Sequence, residues 1–177
     1  MAQDGIPDHS KAKCKAAVNL GIAPNRPMPS NDEIDAAITE YQRLFCSHEQ
    51  PHHLAHLRQI ALEAMFFLRA YSPRLVGSVF NGTADRYSPI MLCAYAQTSE
   101  EIYLDFINAR IPFSETSHVI VENGKHFELP AFRFLVDDTE VILNLHPPKT
   151  LSRGMKKQGR NRAYASLKEV RAMINQK

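Results

Sequence analysis

The chain of 177 residues has the length of one ordinary domain, and its 44% hydrophobic and 23% charged residues are usual for a soluble globular protein. No apolar run reaches the ~18–20 residues of a membrane span, so no membrane partner is expected. The N-terminus is polar and lacks the apolar core of a signal peptide, and the 3 cysteines are widely spaced. These features argue against a disulfide scaffold and favour a cytoplasmic protein.

The net charge of +2 conceals two segments of opposite sign. Residues 71–147 carry 5 Lys or Arg and 10 Asp or Glu, whereas residues 148–177 carry 9 Lys or Arg and one acid, Glu169. A basic tail behind an acidic middle segment predicts either docking of the tail on the chain itself or an anionic partner.

The first segment, residues 1–29, is expected to be poorly structured or to hold one short helix over residues 10–20 that stops at Gly21. Three prolines then predict an extended linker, because proline lacks an amide donor and disfavours helix in the residue before it. These prolines are Pro24, Pro27 and Pro29.

Residues 30–72 are predicted to form a section of two helices. Ser30 and Glu33 make a capping box at the start of the first helix, in which each side chain bonds a backbone amide that would otherwise be unpaired. The second helix is predicted over residues 51–71, because proline is tolerated in a first turn and apolar residues recur behind it at helical spacing. Pro73 ends this helix.

The hydrophobic period changes from helix to strand after Pro73. Strands are predicted at residues 75–80 and 90–96, and Ser99 is predicted to cap a helix over residues 99–109. Asn123-Gly124 is a strong hairpin signal, because both residues accept the positive φ of a type I′ turn. Its strands are predicted at residues 117–122 and 125–129, those of a second hairpin at 131–136 and 140–145, and a last helix at 165–174. The order of elements predicts an α+β fold, with a mixed β-sheet flanked by helices in residues 73–177 and an N-terminal helical extension.

A Gly-Ser pair, Gly77 and Ser78, stands at the end of the first predicted strand. Asn81-Gly-Thr83 and then Ser88-Pro-Ile-Met-Leu92 follow it. This frame resembles the signature of the nucleotidyltransferase superfamily, whose members have the DNA polymerase β-like fold and carry an acidic-apolar-acidic triplet on the strand after the Gly-Ser pair. Residues 57–147 also look like a group of bacterial nucleotidyltransferase-like proteins of unassigned role. The resemblance therefore implies a nucleotidyltransferase-like sheet.

Nucleotidyl transfer depends on two metal ions, usually Mg²⁺, held by carboxylates, and two carboxylates at positions i and i+2 project from one face of a strand. The resemblance aligns Pro89 and Met91 with these two positions. A third carboxylate is expected on the strand at residues 140–145, where Ile142 and Asn144 occupy the expected positions. None of these four residues is an anion, so the resemblance implies a degenerate active site without a metal cofactor.

The retained parts of the frame predict binding of a nucleotide or another phosphate compound. Glycine lets the backbone approach a triphosphate closely, and the neighbouring residues offer hydroxyl and amide groups. The expected contact residues are Gly77, Ser78, Asn81, Thr83, Arg160 and Arg162.

Two alternatives stay open. An active Mg²⁺-dependent nucleotidyltransferase would need relocated ligands, for which Asp85, Asp138 and Glu140 are available. A non-enzymatic interaction module would instead bind a protein partner or form a homodimer. Asp85 alone cannot hold a two-metal site, and a loop aspartate more commonly shapes a turn.

A group of histidines and one cysteine runs from the link between the two helices predicted in residues 30–72 into the first turns of the second helix. It consists of Cys46, His48, His52, His53 and His56. Imidazole and thiolate are good zinc ligands, and His52 or His53 shares a helical face with His56. The spacing matches no zinc module, however, so His52, His53 and His56, like Asp85, are weak metal candidates, and solvated histidines are the commoner outcome.

Basic residues also cluster near the C-terminus, as Lys149, Arg153, Lys156, Lys157, Arg160 and Arg162. Such a loop can contact nucleotide phosphates or an RNA backbone, because cationic side chains bind phosphate mainly by charge. Tyr164 is the one aromatic residue beside it, whereas binders of single-stranded nucleic acid interleave several. A solvated loop that the acidic segment partly neutralises is the commoner outcome.

Overall fold

The structure is a computed structural model that describes residues 9–19, 21, 28–45, 50–85, 87–122, 125–153 and 164–175. These residues form an α+β fold in which helices flank a six-stranded mixed sheet, as the sequence predicts. The helices are α1 (His9–Asn19), α2 (Asn31–Phe45), α3 (Gln50–Phe67), α4 (Gly77–Asn81), α5 (Ser99–Asn108), α6 (Pro148–Arg153) and α7 (Leu167–Asn175). The strands are β1 (Arg74–Val76), β2 (Ile90–Tyr95), β3 (Phe113–Glu122), β4 (Lys125–Val136), β5 (Thr139–His146) and β6 (Ala165–Ser166). Each described helix is too short or too polar to cross a membrane.

The sheet has the strand order β3-β4-β5-β2-β1-β6, with β2 and β5 parallel and the other neighbours antiparallel. Successive side chains of a strand point to opposite faces, so the sheet has a core face and an outer face. Ile90, Leu92 and Leu143 lie on the core face and pack with buried residues of α3 and α5. The outer face of the four strands from β5 to β6 carries Arg74, Met91, Cys93, Tyr95, Ile142, Asn144, His146 and Ser166.

The capping box predicted at the start of α2 is confirmed. The backbone amide of Ser30 donates to Glu33 Oε2 at 2.7 Å, and the amide of Glu33 donates to Ser30 Oγ at 3.2 Å. The backbone bond from Ser30, followed by its side-chain bond, lowers the pKa of the Glu33 carboxyl. Two reciprocal bonds therefore fix where α2 begins.

The first predicted strand is wrong in length. It was expected over residues 75–80, but β1 ends at Val76 and the short helix α4 begins at Gly77. Gly77 adopts φ +72°, which turns the chain out of the ladder, and Gly82 closes α4 with φ +84°. Glycine takes these values without the steric cost of a side chain, so both ends of this turn depend on it.

The prediction of separate strands on either side of Pro130 is also wrong, because β4 continues through it. The pairing of β4 with β5 ends at Ala131 and Asn144, and residues 125–130 pair with β3 alone. Pro130 stands just before the part of β4 that pairs with strands on both sides, residues 131–134. Its missing amide donor therefore removes no hydrogen bond from that part of the sheet. The two strands predicted on either side of Asn123-Gly124 pair as far as Glu122 and Lys125, and the two turn residues themselves lie outside the described residues.

Two helix starts differ from the sequence expectation. Thr98, rather than Ser99, holds the extended N-cap position of α5. The last helix was expected over residues 165–174, but Ala165 and Ser166 first pair with β1 as β6, and α7 starts at Leu167. A strand of two residues is too short to produce a recognisable period, so sequence alone merges it with the helix.

Candidate functional site

The Gly-Ser turn packs directly against β2. A Cβ added to Gly77 would lie 3.2 Å from Met91 Sδ, closer than side chains normally approach. Two properties of this position favour glycine. Its φ is positive, and the side chain of Met91 occupies the space that a Cβ would need. The residue aligned with the second missing carboxylate thus touches the turn.

The aligned positions on the two parallel strands also meet. Met91 pairs with Val76 on one side and with Ile142 on the other, and Pro89 stands one residue before β2. The structure therefore brings together the turn and the positions at which the resemblance expects carboxylates. Those positions carry a ring, a thioether and an alkyl group, and a thioether is a poor ligand for Mg²⁺.

The acids proposed as relocated ligands serve other purposes. Asp85 Oδ1 accepts hydrogen bonds from the amide of Tyr87 at 2.9 Å and from Ser88 Oγ at 2.8 Å. Glu140 forms an ion pair with Arg133 at 3.6 Å on the exposed side of the sheet. Asp138 occupies the β4–β5 turn with φ +59°. Within the described ranges, no three His, Cys, Asp or Glu side chains converge as a metal site would require.

The histidines of α3 do not converge either. His52 and His56 are exposed, whereas His53 donates from Nε2 to the carbonyl oxygen of Asp85 at 3.1 Å. Gln50 Nε2 donates to the Gly82 carbonyl at 2.8 Å, so the first turn of α3 fastens the loop after α4. Cys46 and His48 lie outside the described residues.

The predicted phosphate contacts are spread along α4 and its loop. Ser78 is half-buried beside Gly77, and its carbonyl accepts from the amides of Gly82 and Thr83 at 2.9 Å. Asn81 is exposed at the end of α4, and Thr83 is buried. Arg160 and Arg162 lie outside the described residues, so the structure leaves their contacts as predictions.

Two buried polar groups acquire a meaning in the structure that the sequence does not predict: one in Arg58, and one in Asn144, which the sequence marks only as a position without a carboxylate. Asn144 is 3% exposed, and its Oδ1 has no hydrogen-bond partner within the described chain. The buried Nε of Arg58 is likewise unpaired there, and burial lowers the pKa of this guanidinium. Asn144 interrupts the apolar run of β5 between Leu143 and Leu145, and this interruption is the signal that the sequence offers. Arg58 stands on a helix with several other polar residues, so the sequence offers no such signal there.

Asn144 belongs to a polar layer on the outer face, beside the ends of β2 and β5. Cys93 pairs with Asn144 and Tyr95 with His146, and the rings of Tyr95 and His146 have centroids 5.9 Å apart. Burial raises the pKa of the Cys93 thiol to about 12, so this thiol stays protonated and is a poor nucleophile at neutral pH. Burial likewise raises the pKa of Tyr95.

Comparison with known proteins does not name a family. No protein-family model, no curated protein and no solved structure matches the chain. The function is therefore inferred from the site itself.

Proposed function

We propose that the chain is a catalytically degenerate protein of the nucleotidyltransferase fold that binds a nucleotide, or another phosphate compound, without a divalent metal. One observation carries the proposal: Met91 of β2 lies against Gly77 on one side and pairs with Ile142 of β5 on the other. They hold the places that the resemblance assigns to the Gly-Ser turn and to two of the three metal ligands.

The order of elements supports the fold. A strand ends in the Gly-Ser pair, a short helix and loop follow, and the next strand returns antiparallel beside the first. The strand that should carry the third ligand, β5, lies next to β2 on its other side. The resemblance requires this adjacency, because the three carboxylates of an active member must reach the same pair of ions.

The side chains present support the loss of catalysis. Met91 fills the space against Gly77 where a carboxylate would hold a metal ion, and Ile142 beside it adds only apolar surface. Asp85 and Glu140, two of the acids that the active-enzyme alternative would use, are engaged in a turn and in an ion pair. A two-metal mechanism would therefore lack the oxygen ligands that Mg²⁺ needs.

The ligand would be held by polar groups alone. Ser78 beside the turn, with Asn81 and Thr83 farther along the loop, offers hydroxyl and amide groups, and Arg160 or Arg162 would supply positive charge. Charge and hydrogen bonds to phosphate oxygens need no metal.

The test is equilibrium binding of nucleoside triphosphates by calorimetry, with Mg²⁺ and with EDTA in its place. We expect equal affinities under the two conditions and weaker binding to Ser78→Ala. Glu115→Gln, an exposed change on β3, is the matched control and should leave affinity unchanged. Absence of binding by the wild type would overturn the proposal and, with a stable partner in pull-down, favour an interaction module.

Transfer assays separate this proposal from the active-enzyme alternative. Labelled nucleoside triphosphate is incubated with the protein, Mg²⁺ and candidate acceptors, and we expect no transferred label. Transfer that Asp85→Ala abolishes would establish an enzyme with relocated ligands and refute the degenerate reading.

A further inference from the structure

Asn144 carries an unmet hydrogen bond in a well-packed part of the sheet. The residue is 3% exposed, and within the described chain nothing donates to its Oδ1. Burying a polar atom without a partner costs free energy that an apolar residue of the same shape would not. A group of this kind therefore calls for a partner from outside the chain or for another explanation.

The surroundings of Asn144 are aromatic and polar. His146 lies two residues farther along the same face of β5, and Tyr95 pairs with it on β2. Their ring planes are inclined by 39° at a centroid distance of 5.9 Å. This layer stands at the carboxyl ends of the parallel pair β2 and β5, and open sheets with parallel strands commonly bind ligands at that end.

A cation and a third ring border the layer. Arg74 pairs with Cys93 across β1 and β2, so its side chain shares the outer face with Tyr95. The Arg74 guanidinium lies 5.7 Å from the centre of the Tyr164 ring and donates from Nη1 to the Pro73 carbonyl. Arg74 and Tyr164 are both half-buried, so the border of the layer reaches the solvent.

We propose that this cluster, defined as Arg74, Tyr95, Asn144, His146 and Tyr164, receives the base of a mononucleotide, and that a ring N–H or amino group of the base donates to Asn144 Oδ1. The inference rests on the proposed function, in which the Gly-Ser turn binds the phosphates, and it assigns the base of the same ligand to the cluster. Oδ1 has essentially no accessible surface, so the base enters by displacing the half-exposed side chains at the border.

The chemistry of the cluster favours a base over a phosphate group. Asn144 Oδ1 needs a hydrogen-bond donor, and a fully ionised phosphate offers only acceptors. Bases provide N–H donors for an Asn oxygen, acceptors for an Arg, and flat faces for aromatic rings. Tyr95 lies four positions after Met91 on β2, or ~13 Å along the strand. The sugar and phosphates of a nucleotide can span this distance between the turn and the cluster.

The experiment compares Asn144→Leu with the wild type. Leucine has a similar size and no polar atom, so the melting temperature should stay equal or rise, because the unpaired oxygen is removed. Binding of the four ribonucleosides and of inorganic tripolyphosphate is then measured by calorimetry. We expect at least one nucleoside to bind the wild type and to bind Asn144→Leu with an affinity that is lower by roughly tenfold or more. The affinity for tripolyphosphate should be the same for the two proteins.

Two more variants serve as a second test of the cluster and as a control outside it. Tyr164→Ala removes a half-buried border ring outside the core and should also weaken nucleoside binding. Arg133→Gln changes a half-exposed residue on the same sheet face, beyond the cluster, and should leave nucleoside binding unchanged.

Each outcome decides the matter. Nucleotide binding that is equal in the wild type and Asn144→Leu overturns the base site and leaves the proposed function standing. Equal losses for tripolyphosphate and nucleoside also overturn it, since Asn144 would then not distinguish the base. Nucleoside binding that depends on Asn144, without any binding of triphosphate, upholds the base site and refutes the phosphate-binding turn. A wild type that binds neither probe refutes both.

Discussion

Met91 lies against Gly77, with its sulfur 3.2 Å from the point where a side chain on the glycine would begin. The contact joins the turn after β1 to the start of β2, and together with the positive φ of Gly77 it makes a side chain at this position unfavourable. Met91 also pairs with Ile142, so this residue stands between the turn and β5.

The first prediction concerns Gly77→Ala. Alanine would have to adopt φ +72° and would approach Met91 Sδ at 3.2 Å, so we expect the free energy of unfolding to fall by ~1–3 kcal/mol in urea denaturation.

Gly82→Ala is the matched control, because Gly82 has φ +84° but its nearest side-chain atoms would be 3.8 Å and 3.9 Å away. Gly77→Ala should therefore cost more, and adding Met91→Ala should relieve part of the contact strain. Equal losses for the two glycines would contradict the role of Met91.

The second prediction concerns the bond between Tyr71 and Asp105. The Tyr71 hydroxyl donates to Asp105 Oδ2 at 2.6 Å and ties the turn after α3 to α5. Tyr71→Phe should lower the free energy of unfolding by ~1 kcal/mol at neutral pH, since a hydrogen bond to a charged group is lost from a half-buried site. Tyr103→Phe, which alters an exposed hydroxyl on α5, should have no measurable effect.

The same bond predicts a pH dependence. Burial, followed by the hydrogen bond to Asp105, raises the pKa of Tyr71 from 10.0 to about 12. The unfolded chain loses this proton near pH 10.0 and the folded chain near pH 12, so this contribution to stability is complete below pH 10.0 and is lost as pH rises to about 12. The free energy of unfolding, measured by denaturation below and above this pH range, should fall less steeply with rising pH for Tyr71→Phe than for the wild type. Identical slopes for the two proteins would refute the assignment.

The third prediction concerns the aromatic core. Phe106 is 0% exposed, and its ring centroid lies 4.9 Å from that of Phe134 and 5.1 Å from that of Phe113. Phe106→Ala should cost ~3–5 kcal/mol in the free energy of unfolding, because it leaves a cavity among rings that are themselves packed. Phe127→Ala, at 45% exposure on β4, is the comparison and should cost far less. Similar costs for the two would place the core elsewhere.

The fourth prediction restores the missing acids. The triple variant Pro89→Asp, Met91→Asp and Ile142→Asp should be less stable than the wild type without metal, because three carboxylates are brought together. Mn²⁺ should raise its melting temperature and leave that of the wild type unchanged. A single Leu135→Asp change at an exposed outer-face position should give no metal response. A triple variant that folds but ignores Mn²⁺ would contradict the alignment of these positions.

Local signals in the sequence predicted much of the fold. The capping box at Ser30 needs only the residues of one turn, and the hairpin between β3 and β4 follows from two turn residues. β5 was recognised from its apolar pattern, to within a residue at each end. In these places the structure is determined by neighbours in the chain.

Features that depend on distant pairing were missed. Whether Pro130 breaks a strand depends on where the pairing of β4 with β5 ends, and Ala165 becomes a strand only because β1 is there to pair with it. The same holds for the candidate site: the resemblance implies that the strand of Ile142 neighbours that of Met91, and the two strands do pair, but the unpaired oxygen of Asn144 becomes visible only in the folded structure.

The pairing of β6 with β1 has a consequence for the order of folding. Leu75 pairs with Leu92 of β2 on one side and with Ala165 of β6 on the other. Leu75 and Ala165 lie far apart in the sequence, so their pairing closes a long loop, and contacts of this kind form slowly compared with helices. We therefore expect β1 to gain its second neighbour in a late step of folding.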